Sequence, residues 1–285
     1  MNLRKILMTS VFGILFASSS GNNITITKKL DLFDVWFNYY QHDKEALSRK
    51  LNKIYPRKYE YEKIAGEYSK PLNLNKDYLS RFLIAHECVE SHGDLKAVSN
   101  EDAEGPRQFV PETQKYYFEN NDFVNEVYDP IKAAYATMRF LSEFTKEFGS
   151  FDIALLAYNA GSFKMGKILK KCKKQGIEIR SYNDIPAKML PEETLNYIYK
   201  IKALSALLIN PANHGINLNY DPVFLAEYKT KSGDTLKSIS KKYEKYGSSI
   251  KDIMDYNGIK HKSSVPSNYT LKIPLYYKTI AKSKP

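Results

Sequence analysis

The sequence predicts a mainly α-helical body followed by a small βααβ module, and three observations carry that prediction. Four stretches between Asn75 and Leu208 repeat apolar residues at helical spacing and have recognisable ends. A break rich in asparagine, proline and glycine follows, from Asn210 to Pro222. Beyond it, Ala226 to Pro274 opens and closes on short strand patterns with two helical patterns between them.

From Ile24 to about Tyr68 the pattern is mostly helical. Its aromatics Phe33, Trp36, Phe37, Tyr39, Tyr40, Tyr55, Tyr59 and Tyr61 are expected to pack in a core. Asn73 to Asp77 starts the next helix, which runs to about Ser91. His92 to Thr113 contains Gly93, Gly105, Pro106 and Pro111, so a loop-rich segment with short helical turns is expected. Asp129 and Pro130 pair an N-cap with proline at the first helical position. That helix carries Ile131, Tyr135, Met138, Leu141 and Phe144 on one face and ends at Gly149. A shorter helix, Ile153 to Ala160, stops at Gly161, and another runs from near Pro191 through Leu195, Ile198, Ile201, Leu204 and Leu208. No internal repeat of fixed period is present.

Arg4 and Lys5 precede an apolar run, Ile6 to Ala17, and the small residues Ser18 to Gly21. This is the pattern of a signal peptide, so an exported, periplasmic or cell-envelope location is expected. The run is short for a membrane span, and no cysteine follows it to carry a lipid. Left uncleaved, it would associate the chain with a membrane. The expected organisation is therefore a signal peptide at 1–20, a helical N-terminal segment at 21–75, and the main helical body at 76–210. A linker at 211–225, the small module at 226–276 and a tail at 277–285 follow.

Composition narrows the partners. With 285 residues, 43% hydrophobic and 26% charged, the chain is globular rather than disordered. A net charge of +11 suits a polyanionic partner, whether wall polymer, membrane surface or nucleic acid. No basic arm or RNA-binding signature is present, so nucleic acid is set aside. Cys88 and Cys172 could form one disulfide in an exported protein, or equally be two small buried hydrophobes.

The candidate catalytic group is Glu90. At about 100° per residue it falls within a few tens of degrees of Leu79 and Leu83 on its helix. A carboxylic acid against apolar neighbours has its charged form disfavoured, which is what a general acid at neutral pH requires. Glu87 is the second candidate, further round from that apolar stripe. His86 and Glu87 with Glu90 and His92 have a metal-site look, but the zinc-protease helix needs histidine where Glu90 stands, and no third ligand is apparent. No metal is therefore expected.

Three segments occur in order: Glu87-Cys88-Val89-Glu90-Ser91, then Gly105-Pro106-Arg107-Gln108-Phe109, then Ala157-Tyr158-Asn159-Ala160-Gly161. Eighteen positions separate Glu90 from Gln108, with Ala97 and Ser99 between them, and Pro191 to Tyr197 forms a fourth segment. Together they resemble the catalytic domain of the soluble-lytic-transglycosylase family over roughly 76–209, closest to its membrane-bound transglycosylase D branch. The resemblance implies a goose-lysozyme-like fold and cleavage of peptidoglycan glycan strands without metal or organic cofactor. It implies Glu90 as sole acid/base, with Ser91, Gln108, Phe109, Tyr158 and Asn159 on the sugar groove and Tyr197 near Glu90. Most glycosidases use two carboxylates; Asp94, Glu101, Asp102 and Glu104 in the following loop are the open alternatives for a second. Arg107 stands where the family usually has methionine or tryptophan, and Asp102 where glycine is usual; both are expected beside the groove.

The C-terminal unit resembles a LysM domain, a binder of N-acetylglucosamine-containing chains. Tyr228 to Leu236 carries the opening signature, with Ile239, Tyr243, Ile253, Asn257 and Leu271 to Pro274 fitting the rest. Asn268 replaces a common turn glycine. The resemblance implies glycan contacts at Gly233, Asp234, Thr235 and Leu236, and around Tyr256 to Ile259, including Asn257. The rival readings are a muramidase, which would add water, and a non-catalytic wall-binding scaffold.

Overall fold

The computed structural model describes residues 32–261 and 265–278. The expected signal peptide and the stretch to residue 31 lie outside the described residues, as does most of the expected tail. Among the described residues no helix is long and apolar enough to cross a membrane.

Among the described residues nine helices build the body: α1 (Leu32–His42), α2 (Lys44–Ile54), α3 (Lys58–Leu72), α4 (Lys76–Ser91), α5 (Pro111–Tyr117), α6 (Pro130–Phe148), α7 (Phe151–Ala160), α8 (Ser162–Lys174) and α9 (Glu192–Leu207). Their ends follow local chemistry. The Asn75 side chain accepts from the backbone N–H groups of Asp77 and Tyr78 at 2.8 and 3.0 Å, which fixes the start of α4. Asp129 does the same for α6, and Gly149, at φ 77°, ends it in the left-handed region. Helices α5 and α8 stand where no helix was expected from the pattern.

Helix α4 lies at the centre, packed by α2, α3 and α9. Phe82 through Cys88 are all buried. The helix is thus enclosed on nearly every side at that level rather than along one stripe, as befits the central helix of a bundle. Cys88 and Cys172 are both buried free thiols, the second 3.5 Å from the Met189 sulfur.

The expected linker is not loose. Ile216 is buried, the Asn217 N–H donates to the Ser48 hydroxyl at 2.9 Å, and Asn52 bonds the backbone of both Asn217 and Asn219. This segment is strapped along α2, because its asparagines find backbone and side-chain partners there.

The module starts at Val223. Strand β1 (Val223–Lys229) pairs antiparallel with β2 (Thr270–Tyr276), with α10 (Leu236–Tyr243) and α11 (Ile250–Asp255) between them. It docks on the body through the loop before α6. Val124 is buried in the module's own core, the Asn125 N–H donates to the Gly258 carbonyl at 2.8 Å, and Lys272 forms an ion pair with Asp129. Gly258 is at φ 60°, and a Cβ there would meet the Asn125 carbonyl oxygen at 2.3 Å. Gly258→Ala is therefore expected to cost at least about 1–3 kcal/mol of strain, read as a fall in melting temperature. An unchanged melt would contradict the close docking of the module.

Candidate active site

The last two turns of α4 carry three groups whose environments differ. Glu87 is fully buried and receives Arg57 and the Tyr61 hydroxyl, with Arg107 Nη2 at 3.4 Å. Its carboxylate is committed to two cations, so it serves the framework and not the groove. Lying further round from the stripe of Leu79 and Leu83 thus does not bring it to the surface. The sequence could not show it, because the partners are 20 to 30 positions away.

Glu90 is at the edge of this buried zone, its side chain 14% exposed. Tyr197 reaches it from α9 and donates its hydroxyl to Glu90 Oε1. His86, one turn earlier on α4, places Nε2 3.8 Å from the same oxygen and 3.1 Å from the Tyr197 hydroxyl. Burial pushes the Glu90 carboxyl up to about 7; the Tyr197 hydrogen bond, Arg107 and Lys200 pull it down, and Glu193 raises it. His86 is held well below the ordinary histidine range, first by burial and then by the nearby Arg107. A carboxyl poised near neutrality can give a proton and take one back at the same pH.

Arg107, expected beside the groove, instead has the largest fully buried side chain of the described residues. Its Nη1 donates to the Leu83 carbonyl at 2.6 Å, and its guanidinium lies over the Tyr61 ring at 5.1 Å. Asp102 is exposed at φ 57°, a left-handed position that explains why glycine suits it. The loop between them is fastened: the Gly105 N–H donates to the Ala97 carbonyl at 2.8 Å, and Glu104 and Phe109 exchange backbone hydrogen bonds.

The other expected groove residues divide. Asn159 is half-buried at the end of α7. Gln108 is also half-buried, but its amide nitrogen donates to the carbonyls of Ala97 and Gly105 at 3.2 and 2.9 Å. Tyr158 donates its hydroxyl to the Arg107 carbonyl at 2.8 Å and so anchors the loop carrying Gln108. Ser91 is buried and donates to the Glu87 carbonyl one turn back. Phe109 is buried against Tyr117, Phe118 and Tyr158, a small aromatic core and not a sugar contact. Of the other acids in the loop, Glu104 accepts from Gln114 at 3.2 Å. The carboxylate among the leading electrostatic partners of Glu90 is Glu193, exposed in the first turn of α9.

In the module, Gly233 and Thr235 are exposed, Thr235 capping α10. Asp234 accepts from the Tyr228 hydroxyl and the Lys231 N–H, both at 2.8 Å. Leu236 is buried in the module core. Asn257, expected on the glycan face, is 4% exposed and spends its amide on the backbone of Ile253 and Lys272. Tyr256 and Ile259 are buried too, Tyr256 against the body.

A cavity of about 590 Å³ opens elsewhere, lined by Leu72, Tyr78, Arg81, Phe151 and Lys202 among others; it contains none of the expected site residues.

Residues 71–181 match the transglycosylase SLT domain family, and residues 228–274 match the LysM domain family. Membrane-bound lytic murein transglycosylase D of Escherichia coli K12 is 29% identical over 138 residues, 48% of this chain and 30% of that protein. The same protein of E. coli O6:H1 (strain CFT073) gives the same figures. The chain thus spans 30% of the length of these curated relatives. Lytic transglycosylase Slt of Pseudomonas aeruginosa, solved as an inactive mutant, aligns over 53% of this chain and 24% of its own at 19% identity, with a TM-score of 0.41.

Proposed function

From a chain that carries a transglycosylase SLT domain followed by a LysM domain, we propose a peptidoglycan lytic transglycosylase that uses Glu90 as its single acid and base. The observation that carries this reading is the Glu90 carboxyl itself, partly buried, held near pH 7 and receiving the Tyr197 hydroxyl.

Protonated Glu90 donates to the glycosidic oxygen between N-acetylmuramic acid and N-acetylglucosamine as the bond from that oxygen to muramoyl C1 breaks. The ionised carboxylate then takes the proton of the muramoyl C6 hydroxyl, whose oxygen bonds to C1. The product is a 1,6-anhydromuramoyl end, no water is consumed, and Glu90 ends protonated as it began. An internal nucleophile needs no second carboxylate to activate it, and its attack gains from high effective concentration. Tyr197 favours the ionised half of the cycle by donating to Oε1. The LysM module would hold the enzyme on N-acetylglucosamine-containing strands in the cell envelope through its exposed loop at Gly233 and Thr235. Such retention raises local substrate concentration without altering the chemistry.

Mass spectrometry of products from purified peptidoglycan tests the reading. Muropeptides lighter by one water than their hydrated forms support it; hydrated reducing ends make the protein a muramidase, and no release makes it a wall-binding scaffold. The pH dependence is a second expectation. The active form is protonated, so kcat/KM should fall as pH rises through about 7. A profile that instead rises between about pH 4 and 5 and stays flat to pH 8 would show Glu90 acting from an unshifted, ionised state.

A further inference from the structure

We propose that His86 and Arg107 are positioning residues for the acid/base step, which together hold the Tyr197 hydroxyl so that it donates to Glu90. This rests on the reading of Glu90 given above. Arg107 Nη1 lies 3.4 Å from His86 Nδ1, a long contact but one of fixed polarity. A guanidinium can only donate, so Nδ1 presents its lone pair and the neutral ring carries its proton on Nε2. Nε2 is 3.1 Å from the Tyr197 oxygen, so it donates there, and the tyrosine's own proton is left for Glu90 Oε1. The opposite tautomer would set a ring N–H against the guanidinium and draw the Tyr197 proton to Nε2, away from Glu90.

Every member of this chain is held in place. His86 is fully buried, edge-on to the Tyr158 ring at 4.8 Å and beside Phe82 at 5.4 Å. Arg107 is fixed by Glu87 at 3.4 Å, by the Leu83 carbonyl, and by the Tyr158 hydroxyl on its own carbonyl. Its Nε and Nη2 make no hydrogen bond among the described residues. The buried trio of Arg57, Arg107 and Glu87 therefore carries one excess positive charge behind the site. Around Glu90 the charged and titratable neighbours are His86 and Glu87 on α4, Arg107 on the loop, Tyr158 on α7, and Glu193, Tyr197 and Lys200 on α9. Donation from Tyr197 and the Arg107 charge both favour ionised Glu90, opposing the burial that favours its protonated form. The chain thereby sets the balance between the acid half and the base half of the cycle.

The test uses the full-length protein with Arg107→Met, His86→Phe and His86→Gln. Arg107→Met leaves Glu87 its Arg57 and Tyr61 partners, and circular dichroism with thermal melting reports whether each variant folds. For folded Arg107→Met and His86→Phe we expect kcat to fall about tenfold at unchanged KM, the scale of one misplaced hydrogen bond. The alkaline limb should move to higher pH, because ionised Glu90 has lost support. His86→Gln, which offers both an acceptor and a donor, should recover part of the loss. Nitrogen-15 NMR of histidine-labelled wild type should show His86 neutral with its proton on Nε2, and a mixture of tautomers in Arg107→Met. A wild-type proton on Nδ1, or folded variants that keep both kcat and the alkaline limb, would overturn the proposal. If wild type released no muropeptides the functional reading would fail first, and the tautomer spectrum would still decide the hydrogen-bond chain.

Discussion

Glu90→Gln is expected to lower turnover by about 10²–10⁴-fold, the range a positioned general acid supplies, while making the protein more stable above neutral pH. The second effect follows from the first group's environment. Folding raises the Glu90 value from 4.5 to about 7, so the folded chain binds that proton more tightly than the unfolded chain does. Between those two values the unfolded chain ionises while the folded chain stays protonated, and stability falls as pH climbs through that window. At roughly 1.4 kcal/mol per unit the loss totals about 3 kcal/mol, complete above pH 7. Glutamine never ionises, so the variant should gain on wild type from about pH 5 to pH 7 and keep the difference beyond. Urea unfolding at pH 5 and pH 8 measures it, and equal stabilities at both values would mean that Glu90 is solvated. A site that gives up stability to hold a reactive group in place is a familiar trade.

Glu87→Ala is expected to do the opposite: a loss of about 3–5 kcal/mol in folding stability, because two buried cations lose their shared anion. Arg57 is 4% exposed and Arg107 fully buried, so neither can reach water without opening the core under α4. Tyr61 also loses its acceptor. Tyr256 of the module approaches the same cluster, its own value pulled down by Arg57 against a larger rise from burial, so loosened docking of the module should accompany the loss. Chemical unfolding gives the number. A loss under about 1 kcal/mol would show that water enters the cluster and that the ion pairs are worth no more than surface pairs.

The contrast between these neighbouring glutamates marks what could be read from sequence. Helix starts were legible because their signals are local: Asn75 and Asp129 each cap the helix that begins at the next residue. The βααβ order was legible because turn residues punctuate it. Helix α8 is not legible, although Met165, Ile168, Leu169 and Cys172 recur at helical spacing, because lysines and Gly166 dilute the pattern. Glu90 and Tyr197 stood out through the order of motifs, and the structure brings their side chains together. Glu87 and Arg107 did not, since whether a charge is buried depends on a partner from another segment. His86 looked like a metal ligand for the same reason: helical spacing places it on the face of Glu90 but says nothing of the arginine behind it. The assignment of Asn257 to the glycan face failed differently. A polar residue in a loop signature reads as a ligand contact, whereas here its amide stitches α11 to β2.

Digestion in oxygen-18 water tests whether one glutamate cleaves the strand without water. Purified peptidoglycan is incubated with wild type and with Glu90→Gln, and the released muropeptides are weighed. Unlabelled anhydro ends are expected from wild type and none from the variant. Labelled reducing ends from wild type would contradict this and assign the bond cleavage to hydrolysis.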